Sequence, residues 1–116
     1  MVHYSTPPLD ATFAALSDAT RRGIIDRLAT GDASISSLAE QFQMTLTGVK
    51  KHVQILEQAG LVMTQKIGRV RTCTLGTHGL KAEAEWIEAR RKLFEARFVA
   101  LDDVLNDMKQ GKNDGS

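Results

Sequence analysis

The side chains most able to do chemistry in this chain are five cations gathered in one stretch. Lys50, Lys51, Lys66, Arg69 and Arg71 fall within residues 45–72, where Glu57 is the one acidic side chain. Elsewhere the charges balance, with three Arg against five acidic residues over 1–44 and seven basic against eight acidic residues over 73–116. Because the whole chain carries a formal net charge of only +1, the island marks a local docking place for a polyanion rather than a generally basic protein. A solvated polar face would carry the same charges, so the reading turns on where the structural elements put them.

Other chemistries find little to work with. Cys73 is the only cysteine, which rules out a disulfide within the chain and any site built from several thiolates of one copy. The three histidines, His3, His52 and His78, are scattered. No nucleophile, base and orienting group stand in a recognisable arrangement, and no glycine-rich phosphate loop occurs, so neither an enzyme nor a cofactor is expected. No run approaches the roughly 18 apolar residues that cross a bilayer, and the first ten residues, MVHYSTPPLD, have neither the basic nor the apolar part of a secretory signal. The expectation is a cytoplasmic protein, and 116 residues leave room for one domain and one core.

The elements that must position the cations follow from spacing. After a tail over residues 1–8, a short helical pattern runs from about Asp10 to Leu16, with Phe13 and Leu16 on one face. Asp18 can cap a second helix that ends near Gly31 and turns Ile24, Ile25 and Leu28 inward. Ser36 or Ser37 starts a third, Ser37 and Glu40 having the spacing of a capping box. Thr45 caps a fourth, Leu46 to Ala59, whose Val49, Val53 and Leu56 form one apolar stripe before Gly60 closes it. Two short helices so close in sequence make a helix-turn-helix. From Leu61 to Ile67 and from Val70 to Leu75 the pattern becomes strand-like around a tight turn at Gly68 and Arg69, the mark of a hairpin wing. The expected fold is therefore mainly α with a small β-hairpin: a winged helix-turn-helix over residues 9–76, then a long C-terminal helix over 77–108 and a disordered tail over 109–116.

That last helix carries Ala84, Arg91, Phe98 and Leu105 at intervals of seven, and Ile87, Phe94, Leu101 and Met108 likewise. Thirty helical residues extend about 45 Å, further than the winged portion needs for its own packing. A second copy of the chain is the simplest cover for the surplus apolar stripe, with Phe13, Trp86, Ile87, Phe94, Phe98, Leu101 and Leu105 as the interface. Folding back onto its own domain is the competing arrangement.

The run V-K-K-H-V-Q-I-L-E-Q-A-G-L-V from Val49 to Val62, followed by K-I-G-R-V-R and then T-L, resembles the ArsR-type family of bacterial winged helix repressors. The earlier run A-L-S-D-A-T-R-R from Ala15 to Arg22 is similar to that family's second-helix start. The region of Trp86 with Phe94 resembles a subgroup with aromatic residues at the dimer interface. The match covers residues 9 to 105. It implies double-stranded DNA and a second copy as partners, while the effector stays unspecified. Many members sense metals through cysteines at the start of the third helix, where this chain has Ser34 and Ser36, poor ligands for thiophilic ions. A second family site uses Asp and His pairs on the last helix; here Asp102 and Asp103 have no histidine beyond His78, so no metal site is expected.

On this reading the fourth helix enters the major groove, where each base pair shows a distinct pattern of donors and acceptors. Thr45 starts it. Thr47, Lys50 and Gln54 face outward towards base edges, and Leu46 towards a thymine methyl. Lys51 and His52 suit phosphates, although His52, half-buried, could equally be a structural hydrogen-bonder. In the wing, Arg69 and Arg71 reach the minor groove or its phosphates, with Lys66 as a third anchor. Arg21 and Arg22 are expected in salt links or stem packing, and Cys73 as a small packed residue. A protein-interaction module that kept the winged scaffold without DNA is the alternative.

Overall fold

The apolar spacing folds as five helices and three short strands in the computed structural model, which describes residues 7–77 and 79–114, with side-chain surroundings for 9–77 and 79–109. Two compact units divide the chain, the winged portion ending at Leu80 and the last helix beginning at Lys81.

Helix α1 spans Pro7–Leu16 and α2 spans Ala19–Ala29. The chain reverses between them because Asp18 takes extended backbone angles and its Oδ2 accepts from the Arg21 backbone N–H at 3.0 Å, satisfying one of the free donors of α2. This bond favours the ionised carboxylate and, with His52 and Arg21 nearby, holds the Asp18 carboxyl below its ordinary range. The Arg21 and Arg22 guanidiniums then reach back to the last turn of α1. Arg21 Nε donates to the Ala15 carbonyl (2.8 Å), Arg21 Nη2 to that of Ala14 (3.1 Å) and Arg22 Nη1 to that of Leu16 (2.7 Å). Cations at a helix C-terminus also meet its partial negative charge, so these arginines close α1 by hydrogen bonds to backbone rather than by salt links.

Strand β1, Ala33–Ser34, leads directly into α3, Ile35–Gln41, and α4 spans Leu46–Gln58. The wing is β2, Val62–Ile67, paired antiparallel with β3, Val70–Leu75; β1 pairs with the other edge of β3, so the sheet order is β1-β3-β2. Gly68 has φ 64°, the positive value required at the first position of a tight two-residue hairpin turn. The core runs through all these elements: Ala15 from α1, Ile24 and Leu28 from α2, Leu38 from α3, Val49, Val53 and Leu56 from α4, and Val62 and Cys73 from the wing are buried. Burial pushes the Cys73 thiol up to about 11, with Glu57 adding to the shift, so the group stays a protonated, packed side chain rather than a reactive thiolate. At Gly76 a Cβ would run into the carbonyl oxygen of Gly60; only a residue without one lets the chain leave β3 so close to the end of α4.

Four expectations need correction. Helix α1 starts at Pro7 rather than near Asp10, since proline is well suited to a first helical position, where no N–H partner is needed; residues 1–6 of the expected tail lie outside the described residues. Helix α3 is capped by Ser34, whose Oγ accepts from the Ser37 N–H at 3.0 Å, not by Ser36 or Ser37. The same three-residue spacing serves from Ser34, and starting there buries Ile35 at the first helical position. The expected hairpin is present, and a third strand, β1, too short at two residues to show alternation in the sequence, extends it to a three-stranded sheet. Helix α5, Lys81–Asp114, starts later than 77, after Gly79 with φ 67° breaks the helical path. It also runs on through six of the residues assigned to the tail, 109–114, where no proline interrupts the backbone ladder.

Candidate nucleic-acid interface

Helix α4 is split cleanly by its own period. Val49, Val53 and Leu56 are 0%, 3% and 0% exposed, so the opposite side is left to Leu46, Thr47, Lys50, Lys51 and Gln54, all of them exposed. Thr45 is also exposed and fixes where the helix starts: its Oγ1 accepts from the Gly48 N–H at 3.0 Å. Thr45→Ala should lower the unfolding free energy by about 1 kcal/mol, measured by urea denaturation, with Thr45→Ser restoring most of it. An unchanged midpoint for the alanine variant would mean that water serves the Gly48 N–H equally well.

The turn before Thr45 holds Gln43 with φ 54°, the only described residue other than glycine at a positive φ. Glutamine has no special affinity for that region, so the sequence shows no sign of it. The bonds around the turn hold it there: Gln43 N–H to the Glu40 carbonyl at 3.2 Å and Met44 N–H to the Ala39 carbonyl at 2.9 Å.

In the wing, strand alternation decides which side chains look towards α4. The register pairs Val62 with Leu75, Thr64 with Cys73 and Lys66 with Arg71; Val62 and Cys73 belong to the core, so Lys66 and Arg71 share their face of the ribbon. Lys66 and Arg71 are thus direct cross-strand neighbours of like charge, an unfavourable pairing unless an anion lies between or beside them. Arg69 occupies the turn and is exposed. A groove of about 440 Å³ opens between the starts of α3 and α4 and the wing, with Lys50, Lys66, Arg69 and Arg71 among its walls and Ser36 and Leu46 beside them. Four of the five cations of the island therefore converge on one concavity, while Lys51 stands exposed next to it in sequence on α4. Positive groups around a concave surface reinforce one another's field and suit the phosphate backbone of a nucleic acid.

His52 is the exception among the expected phosphate contacts. Its Nδ1 lies 3.2 Å from Arg21 Nη1 and 3.8 Å from Asp18 Oδ2, with the side chain 20% exposed. The ring is engaged with α2, the structural role left open above, because one helical step from Lys51 carries it off the outward face. Sequence reasoning missed Ser36, which lines the groove, and the exposed wing pair Ile67 and Val70. Alternation signals for the wing were visible, but which face would be covered was not.

The expected interface residues of the second unit are open to solvent. Trp86, Ile87, Phe94, Phe98, Leu101 and Leu105 are all exposed; Phe13, in α1, is half-buried. Leu93, Val104 and Met108, which the sequence reading did not assign to the interface, are exposed as well. Arg90 lies over the Trp86 ring at 4.4 Å from its centroid, and Arg91 is held by Glu88 at 2.8 Å and also by Glu95.

A family model described as a helix-turn-helix domain matches residues 16–65, the stretch that holds α3, its turn and α4. The transcriptional repressor SdpR of Bacillus subtilis is 32% identical over 79 residues, covering 68% of this chain and 88% of that protein. The HTH-type transcriptional regulator Rv2034 of Mycobacterium tuberculosis is 35% identical over 82 residues, covering 71% of this chain and 75% of its own. The crystal structure of an ArsR family transcriptional regulator superposes with a TM-score of 0.71 at 39% identity, covering 82% of this chain and 97% of that one.

The chain belongs to the ArsR family of winged helix-turn-helix transcriptional regulators. This ArsR-family member carries the winged helix-turn-helix of a DNA-binding transcriptional regulator, with α3 and α4 as the helix-turn-helix and the β2–β3 hairpin as the wing. Ser34 is occupied as the cap of α3, and among the described residues no three His, Cys, Asp or Glu side chains are grouped closely enough to hold a metal ion. No helix among the described residues is long and apolar enough to cross a membrane.

Proposed function

We propose that the protein is a cytoplasmic, homodimeric transcriptional repressor that reads an inverted-repeat operator with two copies of α4 and clamps the flanking backbone with two wings. The observation that carries this reading is the convergence of Lys50, Lys66, Arg69 and Arg71 on one groove beside the exposed face of α4. Thr47, Lys50 and Gln54 are the base-reading side chains and Leu46 an apolar contact for a thymine methyl. Lys51, Lys66, Arg69 and Arg71 neutralise phosphates, while Thr45 caps the start of α4. Pairing through α5 places two recognition helices on half-sites about 34–36 Å apart, one turn of DNA. A dimer seated over a promoter blocks polymerase without further machinery, in keeping with the relative named as a repressor.

Binding to DNA from upstream of the protein's own gene, followed by mobility shift across a salt series, tests the reading. The expected complex weakens steeply with salt, and Lys51→Ala or Arg69→Ala each reduces the slope of log affinity against log salt by about one. Equal affinity at low and high salt, or slopes unmoved by both substitutions, would remove the phosphate-contact role. No complex with any genomic fragment would favour a winged scaffold used for protein contacts instead.

A further inference from the structure

Glu57 is the one carboxylate inside the basic stretch, and it is not idle. Arg71 Nη1 donates to Thr64 Oγ1 at 3.2 Å, and the Thr64 hydroxyl donates onward to Glu57 Oε2 at 2.8 Å. A hydroxyl has one proton to give and lone pairs to receive with, so the chain has a single direction: guanidinium to hydroxyl to carboxylate. It bridges the wing to the last turn of α4, beside a concavity of about 210 Å³ that Lys50 and Gln54 also line. Lys66, directly across the strand pair and on the same face, repels Arg71. An exposed arginine without such a tether samples many rotamers, and ordering it on a ligand costs affinity.

We propose that Thr64 and Glu57 are positioning residues for Arg71, holding its guanidinium against α4 so that it meets a DNA phosphate beside Lys50 already ordered. This rests on the DNA-binding reading above. The carboxylate serves as the resting counter-ion of Arg71, and the neutral hydroxyl between them keeps the guanidinium from collapsing into a direct ion pair that DNA would have to break. Removing the hydroxyl therefore weakens binding without changing any charge.

The test is a double-mutant cycle in DNA affinity, using the full chain and the fragment bound by the unmodified protein. Arg71→Ala alone should weaken binding and flatten the salt slope by about one. Thr64→Val keeps the branched shape of the strand residue and should weaken binding by about 3- to 10-fold, the net scale of one ordinary hydrogen bond; Thr64→Ser should restore it. In the Arg71→Ala background Thr64→Val should change nothing. Glu57→Gln should strengthen binding in that background, by lifting a repulsion, and strengthen it less, or weaken it, when Arg71 is present. If Arg71→Ala leaves affinity and salt slope untouched, the phosphate role of Arg71 fails. If Arg71→Ala acts but Thr64→Val does not, or acts equally in both backgrounds with a lowered melting temperature, Thr64 is only a structural staple and the positioning role is overturned.

Discussion

Phe94→Asp combined with Leu101→Asp is expected to leave the protein monomeric and to weaken operator binding by about 100-fold or more. Both side chains lie in α5 and are 63% and 55% exposed, so neither charge is forced into the interior of a single copy. At about 100° per residue, Ile87, Phe94, Phe98, Leu101, Leu105 and Met108 fall on one face of the helix, with Trp86, Leu93 and Val104 along its border. The helix spans 34 residues, about 51 Å, and the stripe from Ile87 to Met108 takes up about 32 Å of it. An apolar stripe of that length is rare on a soluble monomer, and seven-residue spacing is what lets helices from two copies interlock. Two carboxylates in the middle of the seam would be desolvated without partners, a cost several interface contacts cannot offset. Loss of the second half-site contact follows, because linked binding gains two to four orders of magnitude over a single engagement. Sedimentation equilibrium reports the mass and mobility shift the affinity. A variant that stays dimeric would place the interface elsewhere, and a monomer that binds as tightly as the dimer would end the two-helix account of the operator.

The second large effect is on stability. Leu56→Ala should cost about 2–5 kcal/mol, the range for deleting a fully buried aliphatic side chain where the surroundings relax only in part. Leu56 is 0% exposed in a cluster that joins α1, α2, α3, α4 and the wing. Small domains have roughly 5–15 kcal/mol in all, so the loss is a large share, and it should lower the melting temperature by about 10–30 °C. Thermal denaturation followed by circular dichroism measures it. A shift of less than about 4 °C, which corresponds to under 1 kcal/mol for a domain this size, would mean that the cluster collapses around the gap. Because Leu56 faces away from Lys50 and Lys51, any loss of DNA affinity should track the folded fraction and leave the salt slope intact.

The amino-acid order by itself determined the helices, the exposed face of α4 and the wing. Those features depend on local period: Val49, Val53 and Leu56 one turn apart, Thr45 three residues before Gly48, and β-branched alternation around Gly68. Such signals survive in a sequence because helix and strand geometry repeat over a few residues, whatever lies further along the chain. What only the tertiary structure decided needed partners distant in sequence. Ser34 is a cap because Ala33 and Ser34 first pair with β3. His52 turns to Arg21, 31 positions away, and Glu57 reaches Arg71 through Thr64. Side-chain hydrogen bonds between separate elements leave no periodic trace, since each depends on where two helices and a hairpin meet rather than on the spacing within any one of them.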